Sequence, residues 1–337
     1  MAKKKFIVVA ADRKGGHLAG TEEAEELAKV NAELVIANCG NESEIIEAAK
    51  NADVVITGGA PMTRRVMEAL PACLAIVRYG VGYDTIDVPA ATDCGIIVVN
   101  IPDFCWEEVS NHAMTLLLAC AKKLAFLNDG TKRGRWRECK QAQAPMVSIW
   151  GQTLGIIGCG NIGRAMAKKA HCFSLDILGY DPYLDRSIAR EAGIKLVSLP
   201  ELLRQSDFIS LHTPLDKSTF HLIGEAELKQ MKPGAYLINT ARGPVVDEAA
   251  LIKALQEKWI AGAGLDVFEK EPVDPDNPLL KMDNVVVTPH SASYSDAAFS
   301  RLRRSVGSEA ARVMSGKWPR NWVNKDVKPK VNLTQGD

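Results

Sequence analysis

Short apolar runs alternate with polar-faced stretches along most of this 337-residue chain. In the first hundred residues the runs are continuous, which is typical of strands buried on both faces of a parallel sheet. We predict five such strands, at 6–11, 32–37, 54–57, 74–77 and 96–99, with helices between them, for example at 21–30 and 42–49. This alternation predicts an α/β domain.

The alternation is interrupted after residue 100 and then resumes. A long helix is predicted at 107–127, followed by a charged segment without a strand at 128–152. Further strands are predicted from Thr153 on and at 177–180, 195–197, 208–211, 235–239, 261–265 and 285–288, with a helix at 247–259 among those between them. A last helix is predicted at 296–314, and the polar segment 327–337 is expected to be disordered. The pattern predicts two doubly wound parallel-sheet domains.

A glycine-rich sequence follows the first strand of this second series. It consists of Gly158, Cys159, Gly160, Asn161, Ile162 and Gly163 and opens a segment with helical spacing. The next apolar run ends in Asp181, eighteen residues beyond the last glycine. Glycines here allow a tight turn and close approach of a pyrophosphate to a helix N-terminus, and the acid can accept ribose hydroxyls. The sequence therefore predicts a dinucleotide-binding domain.

Composition and charge argue against several other classes of protein. Lys and Arg (41) balance Asp and Glu (41), and no long basic stripe suggests a nucleic-acid partner. No apolar run approaches the ~20 residues of a membrane span. The eight cysteines occur singly, without a CxxC or a histidine pair at metal-ligand spacing. We therefore expect a cytoplasmic protein without a metal site, a nucleic-acid partner or a membrane partner.

Several polar residues follow strands of the second series, where open parallel sheets bind ligands. Carbonyl reduction by a nicotinamide needs a cation for the substrate's acid group, a donor that polarises the carbonyl, and a proton source. Arg242 can supply the first two, because its planar guanidinium donates several hydrogen bonds. His290 is the natural acid and Glu271 could hold it in its protonated form, although Glu269 has the same chemistry. His112 and His212 are expected to bond local backbone groups.

The first half offers a candidate loop after its fourth strand, at 78–84. Gly80 and Gly82 allow consecutive backbone N–H groups to converge on an anion. A carboxylate held between this loop and Arg242 would place the substrate in a cleft between the domains. A simple turn is the alternative interpretation.

Taken together, these motifs resemble those of the D-2-hydroxyacid dehydrogenases. The resemblance covers roughly residues 5–322 and rests on the glycine motif with Asp181 and on the segments 239–243, 264–272 and 288–292. It implies a Rossmann NAD-binding domain (102–291) inserted in a flavodoxin-like substrate domain (1–101 plus 292–326), and a homodimer built on the NAD-binding domains. It also implies a small 2-oxo or 2-hydroxy acid substrate and a catalytic set of Arg242, Glu271 and His290.

The resemblance further assigns individual residues to the two ligands. Asp181 would select NAD, and Asp266 would meet the nicotinamide amide. The other implied NAD-binding residues are Gly158, Gly160, Asn161, Ile162, Gly163, His212, Thr213, Pro214, Thr240, Ala241, Arg242 and His290. The implied substrate-binding residues are Tyr79, Gly80, Val81, Gly82 and Arg242.

Within the family, the chain is most similar to the C-terminal-binding corepressors and their bacterial relatives, and to phosphoglycerate dehydrogenases without their regulatory extension. It departs from the usual helix sequence at Asn111 and Ala113. An NAD(H)-sensing binding protein with little turnover, like the corepressor relatives, is the main alternative to an enzyme. Oxidation of formate or phosphite is a further alternative, which Glu271 argues against because formate dehydrogenases differ at that position.

Overall fold

The computed structural model describes residues 5–12 and 20–335. The chain divides into two compact units, one formed by 1–104 and 295–337 and the other by 105–294. Each unit has one parallel sheet, of five and of seven strands respectively, so the prediction of two parallel-sheet α/β domains is confirmed. The parts of the predicted substrate domain and tail at 1–4, 13–19 and 336–337 lie outside the described residues. Which unit binds which ligand remains a prediction.

The elements follow one another in regular α/β alternation. The strands are β1 (Phe6–Asp12), β2 (Ala32–Asn38), β3 (Val54–Thr57), β4 (Ala75–Arg78), β5 (Ile97–Val99), β6 (Thr153–Ile157), β7 (Asp176–Tyr180), β8 (Lys195–Leu196), β9 (Phe208–Leu211), β10 (Tyr236–Asn239), β11 (Gly262–Leu265) and β12 (Val285–Val287). The helices are α1 (Thr21–Ala28), α2 (Glu42–Ala49), α3 (Arg64–Glu68), α4 (Val88–Asp93), α5 (Trp106–Ala121), α6 (Leu124–Lys132), α7 (Trp136–Gln141), α8 (Asn161–His171), α9 (Arg186–Glu191), α10 (Leu199–Gln205), α11 (Glu225–Leu228), α12 (Glu248–Gln256) and α13 (Asp296–Met314). None of these described helices is both long and apolar enough to cross a membrane.

The sheet of the first unit has the strand order β2-β1-β3-β4-β5. All residues of β3 and β5 are buried, which explains why these strands read as uninterrupted apolar runs. Helix α13 packs against α1, so the last helix of the chain belongs to the same unit as the first.

In the second unit the strand order is β12-β11-β10-β9-β6-β7-β8. After β6 the chain adds β7 and β8 on one side, and it then returns to add β9 on the other side of β6. The carboxyl ends of β6 and β9 therefore form the point at which the direction of winding reverses, where open α/β sheets bind ligands.

The single long helix predicted at 107–127 is wrong. Helix α5 ends at Ala121, and Lys123 adopts a left-handed conformation, with φ +50°, before α6 begins. The Lys123 ammonium donates a hydrogen bond to the Ala142 carbonyl (3.0 Å), so the break is held by a contact distant in sequence. Because lysine rarely adopts this conformation, a lysine within an apolar helical pattern does not signal a break in the helix.

Residues 327–335 do not form the expected disordered tail. Val327 is buried, and the Lys330 ammonium donates to the carbonyls of Pro71 (3.1 Å) and Cys73 (2.9 Å). Further on, the Thr334 N–H donates to the Gly316 carbonyl (2.9 Å). These contacts satisfy a polar segment through distant backbone groups, which composition and periodicity cannot reveal.

Candidate active site

The glycine-rich turn joins β6 to α8 at the reversal of winding. Gly158 has φ +86°, and a Cβ there would lie 2.7 Å from the carbonyl of His212. A Cβ on Gly163 would overlap the Gly158 carbonyl oxygen, whereas one on Gly160 would meet nothing within 4 Å. The first and third glycines are thus required by packing, and the second leaves the backbone open to a ligand. This is the division of roles that pyrophosphate binding requires.

The N-terminus of α8 is suited to an anion. Its N-cap is Gly160, which supplies no capping side chain, and Asn161 and Ile162 form the first helical turn. Uncapped N–H groups at a helix N-terminus attract phosphate through their hydrogen bonds and the helix dipole. The predicted pyrophosphate-binding residues therefore lie together at one helix end.

Asp181 follows β7 and lies beside the glycine turn. Its Oδ2 accepts the N–H of Cys159 (2.9 Å), and its Oδ1 accepts the N–H groups of Tyr183 (2.9 Å) and Leu184 (3.1 Å). The carboxylate is fixed by backbone donors on both sides. In this position an acidic side chain can accept ribose hydroxyls of a dinucleotide.

Three buried polar atoms near the ends of β9 and β10 have no hydrogen-bond partner among the described residues. They are His212 Nδ1, Thr213 Oγ1 and Thr240 Oγ1. Because buried polar groups are normally paired, this edge fits a polar ligand that supplies the missing bonds. Pro214 lies exposed next to Thr213. Together with the open backbone at Gly160, these residues fit a nicotinamide dinucleotide.

The two histidines expected to bond local backbone groups bond side chains instead. His212 Nε2 lies 2.9 Å from Ser210 Oγ, and burial lowers the pKa of His212 to about 4, so its imidazole is neutral at physiological pH. His112 Nε2 lies 2.8 Å from Thr288 Oγ1. One signal could have revealed the second contact, since His112 is spaced from the buried Val109 and Leu116 so as to lie on the same helix face.

The turn after β10 carries Arg242. The buried Asn239 shapes this turn, because its side-chain amide donates to the Arg242 carbonyl (2.9 Å) and its oxygen accepts the Ala241 N–H (3.0 Å). A Cβ on Gly243 would overlap the Phe268 carbonyl group, so the turn is packed directly on the segment that leads to Glu271.

Glu271 and His290 are hydrogen-bonded, with 2.7 Å between Oε2 and Nδ1. Burial opposes ionisation of Glu271, but its pKa is held below the usual value by the hydrogen bond and charge of His290, the N–H of Phe268 and the charge of Arg242. An ionised carboxylate only accepts hydrogen bonds, so Nδ1 of His290 carries a proton and donates it to this bond. Nε2 is then the ring atom available for proton transfer.

Glu269 is engaged elsewhere. Its Oε1 lies 2.7 Å from His221 Nε2 and accepts the N–H of Glu248 (3.1 Å). Of the two glutamates that the sequence left equivalent, Glu271 is the one that contacts His290.

Asp266 is buried at the end of β11, and its carboxylate faces protein groups. Its oxygens accept the N–H groups of Ser291 (2.9 Å) and Ala292 (2.8 Å). Its backbone carbonyl accepts the N–H of His290 (2.8 Å), a residue held at φ +53°. The implied contact with a nicotinamide amide remains a prediction, while the observed contacts of Asp266 fix the segment that carries His290.

The candidate loop after β4 lies in the first unit. The side chain of Tyr79 is buried, and its hydroxyl donates to the buried Glu23 (2.6 Å). The backbone N–H of Tyr79 donates to the Thr57 carbonyl, and that of Gly80 donates to the Arg78 carbonyl. Neither N–H group is therefore available to an anion. The Arg78 guanidinium donates to the carbonyl of Gly82 (2.9 Å) and stiffens the loop.

Of the four residues predicted in this loop, Val81 and Gly82 fit an anion best. Both are partly exposed, and their N–H groups have no hydrogen-bond partner among the described residues. The interpretation of this loop as an anion-binding site therefore rests on these two N–H donors. The sequence position of Tyr79 does not show which way its side chain turns, and its contact with a substrate stays a prediction.

Comparison with known proteins agrees with these features. Residues 114–292 match the family model for the D-isomer specific 2-hydroxyacid dehydrogenase, NAD binding domain. The chain belongs to this family. It is a nicotinamide-dependent oxidoreductase of the 2-hydroxyacid dehydrogenase type.

Individual relatives support the assignment over most of the chain. A glyoxylate reductase from Korarchaeum cryptofilum is 44% identical over 84% of this chain and 86% of its own length. A D-3-phosphoglycerate dehydrogenase from Methanocaldococcus jannaschii is 40% identical over 93% of this chain, which spans only 59% of that protein. An NADPH-dependent glyoxylate/hydroxypyruvate reductase from Sinorhizobium meliloti, solved with NADP and malonate, matches with a TM-score of 0.86 and 29% identity, covering 98% of this chain and 100% of its own.

Proposed function

We propose that this protein is an NAD-dependent reductase of small 2-oxo acids, which it interconverts with D-2-hydroxy acids. The main support is the arrangement of Arg242, Glu271 and His290 in the second unit. A hydrogen-bonded acid–histidine pair lies within the electrostatic influence of a guanidinium that is carried on a neighbouring turn.

Each member of this set has a distinct proposed role. Arg242 binds the substrate carboxylate and polarises the carbonyl oxygen through its planar donor groups. Glu271 orients the imidazole of His290 and stabilises its cationic form. His290 gives its Nε2 proton to the oxygen that becomes the hydroxyl, and takes it back in the reverse direction. When bound, the reduced nicotinamide supplies the hydride.

Glyoxylate is the first substrate to test, because relatives that are 44% and 41% identical to this chain are named glyoxylate reductases. The decisive assay follows NADH oxidation through its nicotinamide absorbance against glyoxylate, hydroxypyruvate, pyruvate, phenylpyruvate and 2-oxoisocaproate. Turnover of at least one of these acids supports the proposal. Tight NADH binding with no turnover of any of them would instead favour an NAD(H)-sensing binding protein.

We further propose that NAD is preferred over NADP. The Asp181 carboxylate can accept ribose hydroxyls but repels the 2′-phosphate of NADP. In Asp181→Ala, NADH binding should weaken by roughly 10- to 100-fold, as expected when hydrogen bonds to a charged group are lost. NADPH binding should improve or stay the same. Fluorescence titration of both coenzymes measures this, and Asp176→Ala, at the opposite end of β7, is the matched control. A wild-type preference for NADPH would overturn the assignment.

A homodimer formed through the second unit is also proposed. Segment 124–150 exposes Leu124 (59%), Trp136 (63%) and Trp150 (76%), large apolar side chains of the kind that a partner surface would cover. Light scattering after size exclusion should give a dimer for the wild type and a monomer for Trp136→Glu, because a charge is costly in an apolar interface. Ile188→Glu, on exposed α9, should leave the dimer intact. A wild-type monomer at micromolar concentration would refute the dimer.

A further inference from the structure

His112 connects helix α5 to the strand ends behind the proposed acid His290. Its Nε2 lies 2.8 Å from Thr288 Oγ1 and 3.5 Å from Asp266 Oδ1. Helix α5 packs against β10, β11 and β12, so the imidazole is carried on a rigid element of the same unit.

The direction of the hydrogen bonds follows from the number of available protons. Asp266 accepts two backbone N–H groups, and Thr288 Oγ1 lies only 2.5 Å from its Oδ1. Because a carboxylate only accepts hydrogen bonds, the Thr288 hydroxyl uses its single proton to donate a hydrogen bond to Asp266. His112 must therefore donate from Nε2 to the Thr288 oxygen. The result is a one-way chain of donors from His112 through Thr288 to Asp266.

This chain ends on the backbone of residues 290–292. The Asp266 carboxylate holds the N–H groups of Ser291 and Ala292, and the Asp266 carbonyl accepts the N–H of His290. His290 has φ +53°, a left-handed conformation that is uncommon for a residue with a side chain. The position of the His290 ring therefore depends on Asp266 remaining in place.

We propose that His112 is a positioning residue for His290. By donating to Thr288 it keeps the Thr288 hydroxyl on Asp266, and Asp266 in turn fixes the left-handed backbone that aims the imidazole. His112 does not contact the substrate or the reacting atoms in this scheme. The inference rests on the proposed function, since it gives His112 a part in catalysis only if His290 is the acid.

Four variants test the chain of donors. His112→Ala removes the donor, whereas His112→Gln keeps an N–H donor at a similar reach. Thr288→Val keeps size and shape but breaks the link, so it tests the proposal even if His112→Ala does not fold. Asn111→Ala, an exposed neighbour on α5, is the matched control.

We expect kcat of His112→Ala and Thr288→Val to fall by roughly 10- to 100-fold, the effect of a small misplacement of a reacting group. Affinity for NADH should stay within about threefold of wild type, and His112→Gln should recover most of the loss. The double variant His112→Ala/Thr288→Val should be no less active than the poorer single variant, because both changes interrupt the same series of hydrogen bonds. Asn111→Ala should behave as wild type.

A second readout does not depend on turnover. With isotope-labelled histidine, the imidazole resonance of His290 can be assigned from its loss in His290→Gln. This resonance should move in both His112→Ala and Thr288→Val, and it should not move in Asn111→Ala. An unchanged resonance in His112→Ala, or a kcat within about twofold of wild type in Thr288→Val, would overturn the positioning role.

The two readouts separate this inference from the proposed function. If wild-type protein reduces no 2-oxo acid, the proposed function fails while the resonance still reports whether His112 orients His290. If wild type is active and the resonance and kcat are insensitive to both variants, only the inference fails.

Discussion

Replacement of Arg242 by lysine is expected to lower kcat/KM for the best 2-oxo acid by roughly 30- to several-thousand-fold. This corresponds to the loss of about 2–5 kcal/mol, as when one member of a close charge pair is removed. Lysine keeps the charge, but its point-like ammonium cannot bridge a carboxylate and a carbonyl as the planar guanidinium does. Steady-state kinetics with NADH measures the effect.

The matched control for this change is Arg204→Lys, which alters an exposed arginine on α10 of the same unit. It should be indistinguishable from wild type, and both variants should bind NADH normally in a fluorescence titration. If Arg242→Lys retained activity within about threefold of wild type, Arg242 would not be the residue that binds the acid.

Removal of the imidazole in His290→Ala is expected to reduce kcat by about 10²–10⁴-fold, the usual contribution of a general acid. The loss should be similar in both directions, since the same group gives and takes the proton. Asp266 and the backbone of 290–292 remain in this variant, so NADH affinity should change much less than kcat. A loss smaller than about tenfold would move the proton-transfer role to another group.

The pairing with Glu271 gives a second test of the same group. Glu271→Gln removes the carboxylate that accepts a hydrogen bond from His290 Nδ1 and roughly keeps the shape. An amide oxygen holds this N–H less strongly than a carboxylate does, so kcat is expected to fall by roughly tenfold in both directions. A kcat within about twofold of wild type would show that the pair does not contribute to the reaction.

The same pair also affects stability. The pKa of Glu271 lies below its ordinary value in the folded protein, mainly through His290, although burial acts in the opposite direction. The pair's contribution is therefore fully present above the ordinary carboxyl range and is lost as the pH falls through the lowered pKa. Glu271 is about a third exposed, so this contribution is weakened by solvent.

The strands and their order along the chain were accessible from the sequence. Parallel strands that are covered on both faces must be apolar throughout, and the runs that become β3, β5 and β9 are buried at every position. The glycine-rich turn could also be predicted from the sequence. Only glycine tolerates both the left-handed backbone at 158 and the close packing at 163.

The candidate site could be predicted as far as residue types at strand ends. Residue chemistry alone could not choose between Glu269 and Glu271, and only the family resemblance pointed to Glu271. Both are acids in one loop, and the fold brings His221 to one and His290 to the other. The inward turn of Tyr79 towards Glu23 was also hidden, since the two residues are far apart in sequence.

The features that could be derived from the sequence are local: the type of each element, the chemistry of the turns and the order of the reactive residues along the chain. The packing of the elements determines which side chains meet, as for His112 on α5 and Thr288 beyond β12. The pattern of apolar residues along an element indicates which of its positions are buried. Hydrogen bonds between distant side chains depend on how the elements pack, and no periodicity records that packing.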